Sequence, residues 1–187
     1  MELAILLPLA AFVALAAGFA IVLRRAGRLV ARAREVEGFR SSVRDLSTRI
    51  DTSLEGATDR IDAVRRHQVG AETIGETLGA ATDAVERYAS EAKGLGGPPG
   101  ADAIRDDIVF ELERAGRALQ MVDHGATILS QARRRGREIE AQTAIKRGYL
   151  NLLHAREAIS RHAARAESIA AREPAGELRA AAHEPHS

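Results

Sequence analysis

One column of residues, spaced by seven, stays apolar through nine consecutive positions: Val36, Val43, Ile50, Ala57, Val64, Ala71, Leu78, Val85 and Ala92. A helix returns to nearly the same face after two turns, so such a column must be buried against a partner helix. A second column begins with Phe39 and Leu46, meets Ser53, Arg60 and His67, and recovers with Ile74, Ala81, Tyr88 and Leu95. In its weak middle, Leu54 and Ile61 supply the apolar face one position later. The spacing predicts a long helical segment over 36–95 that packs on another helix.

That partner follows in the sequence. Residues 94–100, GLGGPPG, cannot continue a helix, because two prolines lack the amide donor and clash with the preceding turn. A turn is expected over 96–101 and a second long segment over 102–173, with Asp102 as its N-cap. Its apolar residues Ile108, Leu112, Ala115, Leu119, Val122, Ala126 and Leu129 alternate by four and three, and Ile139, Ile145, Tyr149, Leu152, Leu153 and Ile159 resume the stripe. A short connection makes two such segments antiparallel neighbours. Breaks near Gly70 and Gly136 would convert a single long hairpin into a four-helix bundle; the unbroken hairpin is the favoured form of the two. Residues 174–187, PAGELRAAAHEPHS, lose the periodicity and are expected to form a disordered tail.

The N-terminal region differs in kind. After Met1 and Glu2, residues 3–23 carry no charge, and at about 1.5 Å per residue they reach about 31 Å, the depth of a bilayer core. Arg24, Arg25, Arg28, Arg32 and Arg34 follow over 24–35 with no acid until Glu35. This reads as a transmembrane helix over 3–23 and a basic juxtamembrane segment over 24–35, whose arginines would face anionic lipid. The positive-inside rule then places the N-terminus (1–2) outside and the body in the cytoplasm, as a bitopic protein of a bacterial inner membrane. Ala10, Ala14 and Gly18, spaced by four, form a candidate packing face for a second membrane helix. The expected architecture is all-α: one transmembrane helix followed by a coiled-coil-like antiparallel hairpin or four-helix bundle.

Composition narrows the chemistry. Aromatic residues are 3% of the chain and there is no Trp, which suits long Leu- and Ala-seamed helices better than a compact enzyme core. Without cysteine there is no disulfide or thiolate metal site. No His has a carboxylate three positions before it, as a di-iron bundle requires, and no phosphate-binding loop or serine elbow is present. No catalytic residue, metal ligand, cofactor or small-molecule substrate is therefore assigned. The second basic cluster, Arg133, Arg134, Arg135 and Arg137, is a candidate patch for an acidic partner, most simply the acidic surface of the first helical segment. Nucleic acid is disfavoured, because no aromatics interleave the arginines for base stacking.

The functional expectation is a scaffold or protein-interaction module acting through its helices, by partner binding or self-association. Two alternatives stand beside it. One is a signal-transmitting module switching at the polar seam positions Ser53, Arg60 and His67. The other is a binder of anionic lipid or nucleic acid through the arginine clusters.

Overall fold

A computed structural model describes the backbone of residues 3–132 and 136–169, and the side chains of these apart from 3–14, 16, 17 and 132. Among the described residues the chain is all-α. The helices are α1 (Leu3–Arg65), α2 (Gly75–Lys93), α3 (Ala101–Ala132) and α4 (Glu138–Ser168), with a 3₁₀ turn at Ala71–Thr73. Helix α1 packs on α2 and α4, and α3 packs on the same two helices. Chain neighbours run antiparallel. Ser53 meets Tyr88 at 2.9 Å across α1 and α2, while Arg40 meets Glu167 and Arg156 meets Asp51 across α1 and α4.

The seven-residue column accounts for the core. All nine of its residues are buried, on α1, in the turn after it and on α2. Leu54 and Ile61 are fully buried, so the seam steps one residue along the helix where the second column turns polar. Ser53 and Arg60 thereby reach the flank of the core, and each contacts the neighbouring segment: Ser53 bonds Tyr88, and Arg60 donates to Thr73 at 3.2 Å. From α3 and α4 the core receives Ile108, Leu112, Leu119, Val122, Ile145, Leu152 and Ile159.

Both long segments are interrupted, so the favoured single hairpin is replaced by four helices. The first break follows Arg65. The amides of His67 and Gln68 turn back to the carbonyls of Val64 and Ala63, and His67 takes a left-handed φ of 59°. Gly70 is extended, and the chain re-enters a helix only at Gly75. The second break contains Gly136, at a φ of 64°, a conformation that costs a side-chain-bearing residue energy and glycine almost nothing. One apolar position assigned to the stripe is in fact outside, Ile139 at 81% exposed, and Phe110 is also outside, at 58%. Phe110 stands two residues beyond Ile108, which is the wrong side of a helix of about 3.6 residues per turn.

The transmembrane expectation is corrected. Among the described residues no helix is long and apolar enough to cross a membrane. Helix α1 does not stop after residue 23 but runs unbroken to Arg65. The inner-membrane single-pass localisation, and the N-out/C-in orientation derived from it, are therefore not supported. Side chains 3–14, with Ala10 and Ala14 of the proposed packing face, lie outside the described residues, as does the tail from residue 170 onward. Gly18 is exposed, and a Cβ added there would meet nothing within 4 Å.

Helices α3 and α4 make the closest approach in the fold. A Cβ on Gly148 would sit 2.7 Å from the Ala118 carbonyl oxygen and 2.6 Å from Val122 Cγ2. One on Gly125 would sit 2.9 Å from the Ala141 carbonyl oxygen. Gly148→Ala is expected to lower the thermal midpoint, because prising the two backbones apart costs roughly 1–3 kcal/mol, more than the helix-propensity gain. Gly79→Ala, where a Cβ meets nothing within 4 Å, is expected to raise the midpoint by up to about 1 kcal/mol of stability. Thermal unfolding followed by circular dichroism separates the two, and equal effects would remove the close-packing explanation.

Candidate functional site

The four packed helices begin at Val36, which is 7% exposed. Helix α1 continues outward from there as an arm. All described residues from Gly18 to Glu35 are exposed, and they extend the helix by about 27 Å at 1.5 Å per residue. The large apolar side chains on the arm are open to solvent: Leu15 at 75%, Phe19 and Leu29 at 65%, Val22 at 62% and Val30 at 51%. Single exposed apolar residues are ordinary, but a contiguous run of them marks a surface that binds something.

The arm is two-faced. At about 100° per residue, Leu15, Phe19, Val22, Leu23, Ala26, Leu29, Val30 and Ala33 share one stripe about 120° wide. Arg24, Arg28 and Arg32 lie on the opposite side, with Arg25 and Arg34 at the stripe's edges; Ile21 is the large apolar residue among them. Among the described residues Arg24, Arg25, Arg28 and Arg34 hold no carboxylate. Arginines of the bundle behave differently: Arg40 and Arg44 both hold Glu167, Arg49 holds Glu91, and Arg156 holds Asp51 at 2.7 Å while donating to Thr58 at 2.9 Å. The Glu91 hydrogen bond, with Asp45 nearby, raises the Arg49 pKa further above its already high ordinary value.

The second basic cluster divides. Arg133, Arg134 and Arg135 lie outside the described residues. Arg137 pairs locally, donating two bonds to Glu140 at 2.7 and 2.6 Å across the first turn of α4, and not to the acidic surface of the 36–95 segment. The Arg137 hydrogen bond holds the Glu140 carboxyl below its ordinary pKa. At this end of the bundle a cavity of about 650 Å³ opens between the turn after α1 and the α3–α4 junction, lined in part by Val64, His67, Gln68, Glu72, Ser130 and Gln142. Its walls mix an imidazole, amides and carboxylates. Among the described residues no three His, Cys, Asp or Glu converge as a metal site.

The sequence reading took the apolar opening as uniformly greasy and missed the two-faced character of its continuation. The signal was present in the alternation by four and three of Leu15, Phe19, Val22, Ala26, Leu29 and Ala33, with arginines on the intervening positions. It also missed a cross-helix cluster in which Asp107 of α3 accepts from Arg165 at 2.9 Å and approaches His162 Nδ1 at 3.3 Å. That pairing joins residues 55 or more positions apart, which no local spacing reveals.

Because the depressed carboxyl is favoured as a carboxylate in the folded state, its contribution is present above the unfolded pKa and lost as pH falls through the folded one. Replacing Arg137 by Gln is expected to move the Glu140 titration midpoint up toward its ordinary value, read by carboxyl-carbon NMR; an unchanged midpoint would dissociate the pair. No protein-family model, curated protein or solved structure matches this chain.

Proposed function

We propose that the chain is a helical interaction module. The four packed helices serve as a rigid base, and the arm of α1 presents the binding surface. The reading rests on one observation: Leu15, Phe19, Val22 and Leu29, each more than 60% exposed, line a single face of a helix whose continuation is buried in the bundle core. Leaving four large apolar side chains in water on a helix otherwise built to bury its apolar face is unfavourable by about 1.5–3 kcal/mol per side chain. A binding partner that covers the stripe recovers that free energy.

Rigidity supports the same reading. The helix passes without interruption from Leu29 through Val36 to Val43, with Gly38 held in regular helix. Whatever the arm holds is therefore positioned relative to the bundle, as a scaffold requires. The bundle core is filled by aliphatic side chains, and the proposed role is binding, without a chemical step.

A photo-crosslinking residue placed at Phe19 or Leu29 in living cells is expected to give discrete adducts to a macromolecule, protein or lipid. The same residue at Asp83, on the exposed face of α2, is expected to give few. Equal labelling at all three positions, or none on the arm, would overturn the arm as the binding surface.

A further inference from the structure

We infer that the arm binds an anionic lipid surface, lying along it with the apolar stripe turned into the headgroup region. This inference deepens the reading of the arm as a binding surface and rests on it. It requires no span: a helix of this type settles at the depth of the headgroups and leaves its charged side in water.

Three observations select this occupant. The first is charge. From Gly18 to Arg34 the arm carries Arg24, Arg25, Arg28, Arg32 and Arg34 and no Asp or Glu. Arg24, Arg25 and Arg28 are exposed and, among the described residues, hold no carboxylate. Each such residue near an anionic leaflet strengthens binding about fivefold. The second is geometry. A stripe about 120° wide with a basic opposite face, sustained over residues 15–34, offers about 30 Å of helix to a flat surface. Arg25 and Arg34 at the stripe's edges have stems long enough to follow it down while their guanidinium groups stay at phosphate level. The third weighs against a second copy. In a parallel pair of arms packed stripe to stripe, Arg25 and Arg34 at the stripe's edges would flank the seam of a like-charged copy, with no acid between Gly18 and Arg34 to offset them.

The test uses the full chain. It contains no Trp, so Val22→Trp places a single emission probe on the stripe. Flotation with phosphatidylcholine vesicles carrying a minority of phosphatidylglycerol is expected to capture the protein, with a blue-shifted emission. Vesicles of phosphatidylcholine alone are expected to capture roughly tenfold less or worse, and about 0.5 M salt should release the protein from the anionic ones. Arg24→Gln with Arg28→Gln should weaken binding about tenfold or more, and Phe19→Ser with Leu29→Ser should abolish the emission shift. Both double variants should keep the thermal midpoint of the parent, since all four residues are exposed in the arm.

Capture that ignores lipid charge or salt would overturn the inference. So would a blue shift that depends on protein concentration without vesicles, which would assign the arm to a second copy. Failure on vesicles together with a discrete protein adduct at Phe19 in cells would overturn the lipid occupant and leave the interaction-module reading standing. Failure of both would remove the arm as a binding surface.

Discussion

The fold depends on burying one apolar seam that runs through four helices. Leu54, Ile61, Leu112, Leu119 and Leu152 are fully or almost fully removed from water, and each contributes about 1.5–3 kcal/mol by its burial. Few aromatics take part, so the seam is filled with branched aliphatic chains and alanines. Alanine lets helices come close, and where α3 and α4 come closest even a methyl group is too large, as Gly125 and Gly148 show. The ion pairs around the seam are largely exposed, and pairs of that kind contribute little individually. Their role is in register: Arg40 and Arg44 on Glu167, Arg156 on Asp51 and Arg165 on Asp107 each favour one axial alignment of two helices over its neighbours.

The two ends of the bundle are built on different principles. At the Gly/Pro end, Gly97 lies so close to Phe39 that a Cβ there would be 2.7 Å from the ring, so the turn between α2 and α3 caps the core with the aromatic of α1. At the other end a cavity of about 650 Å³ opens beside His67 and Gln68. The arm leaves from the tightly capped end. Its helix is anchored by Val36, Phe39 and Val43, so any load on the arm passes directly into the seam.

The contrast along α1 is the clearest physical statement about function. From Val36 inward the apolar face of the helix is covered by α2 and α4. Outward from Glu35 it is bare, and the segment from Gly18 to Arg34 carries five arginines and no Asp or Glu. On this segment a stripe of exposed apolar residues lies opposite a basic face, and among the described residues nothing covers the stripe.

Much of the bundle was legible from spacing alone. Nine residues at an interval of seven were read as buried and are buried, and the one-residue step to Leu54 and Ile61 was read correctly, because both follow from the geometry of a single helix. The glycine-proline turn was equally legible, because proline's missing amide acts locally. Ile139 was misassigned because an apolar residue near a stripe carries no local mark of which side it takes. Whether the segments break at 66–74 and 136 could not be read from periodicity. The column continues through Ala71 because the turn packs on α3, a contact between distant parts of the chain. The sequence by itself determined that the chain is helical, where its principal turn lies and which residues of α1 and α2 face inward, since these depend on intervals along one chain. Tertiary structure decided that there are four helices, that α3 and α4 meet at two glycines, and that the stripe of the arm has no cover among the described residues, since each of these depends on what lies opposite.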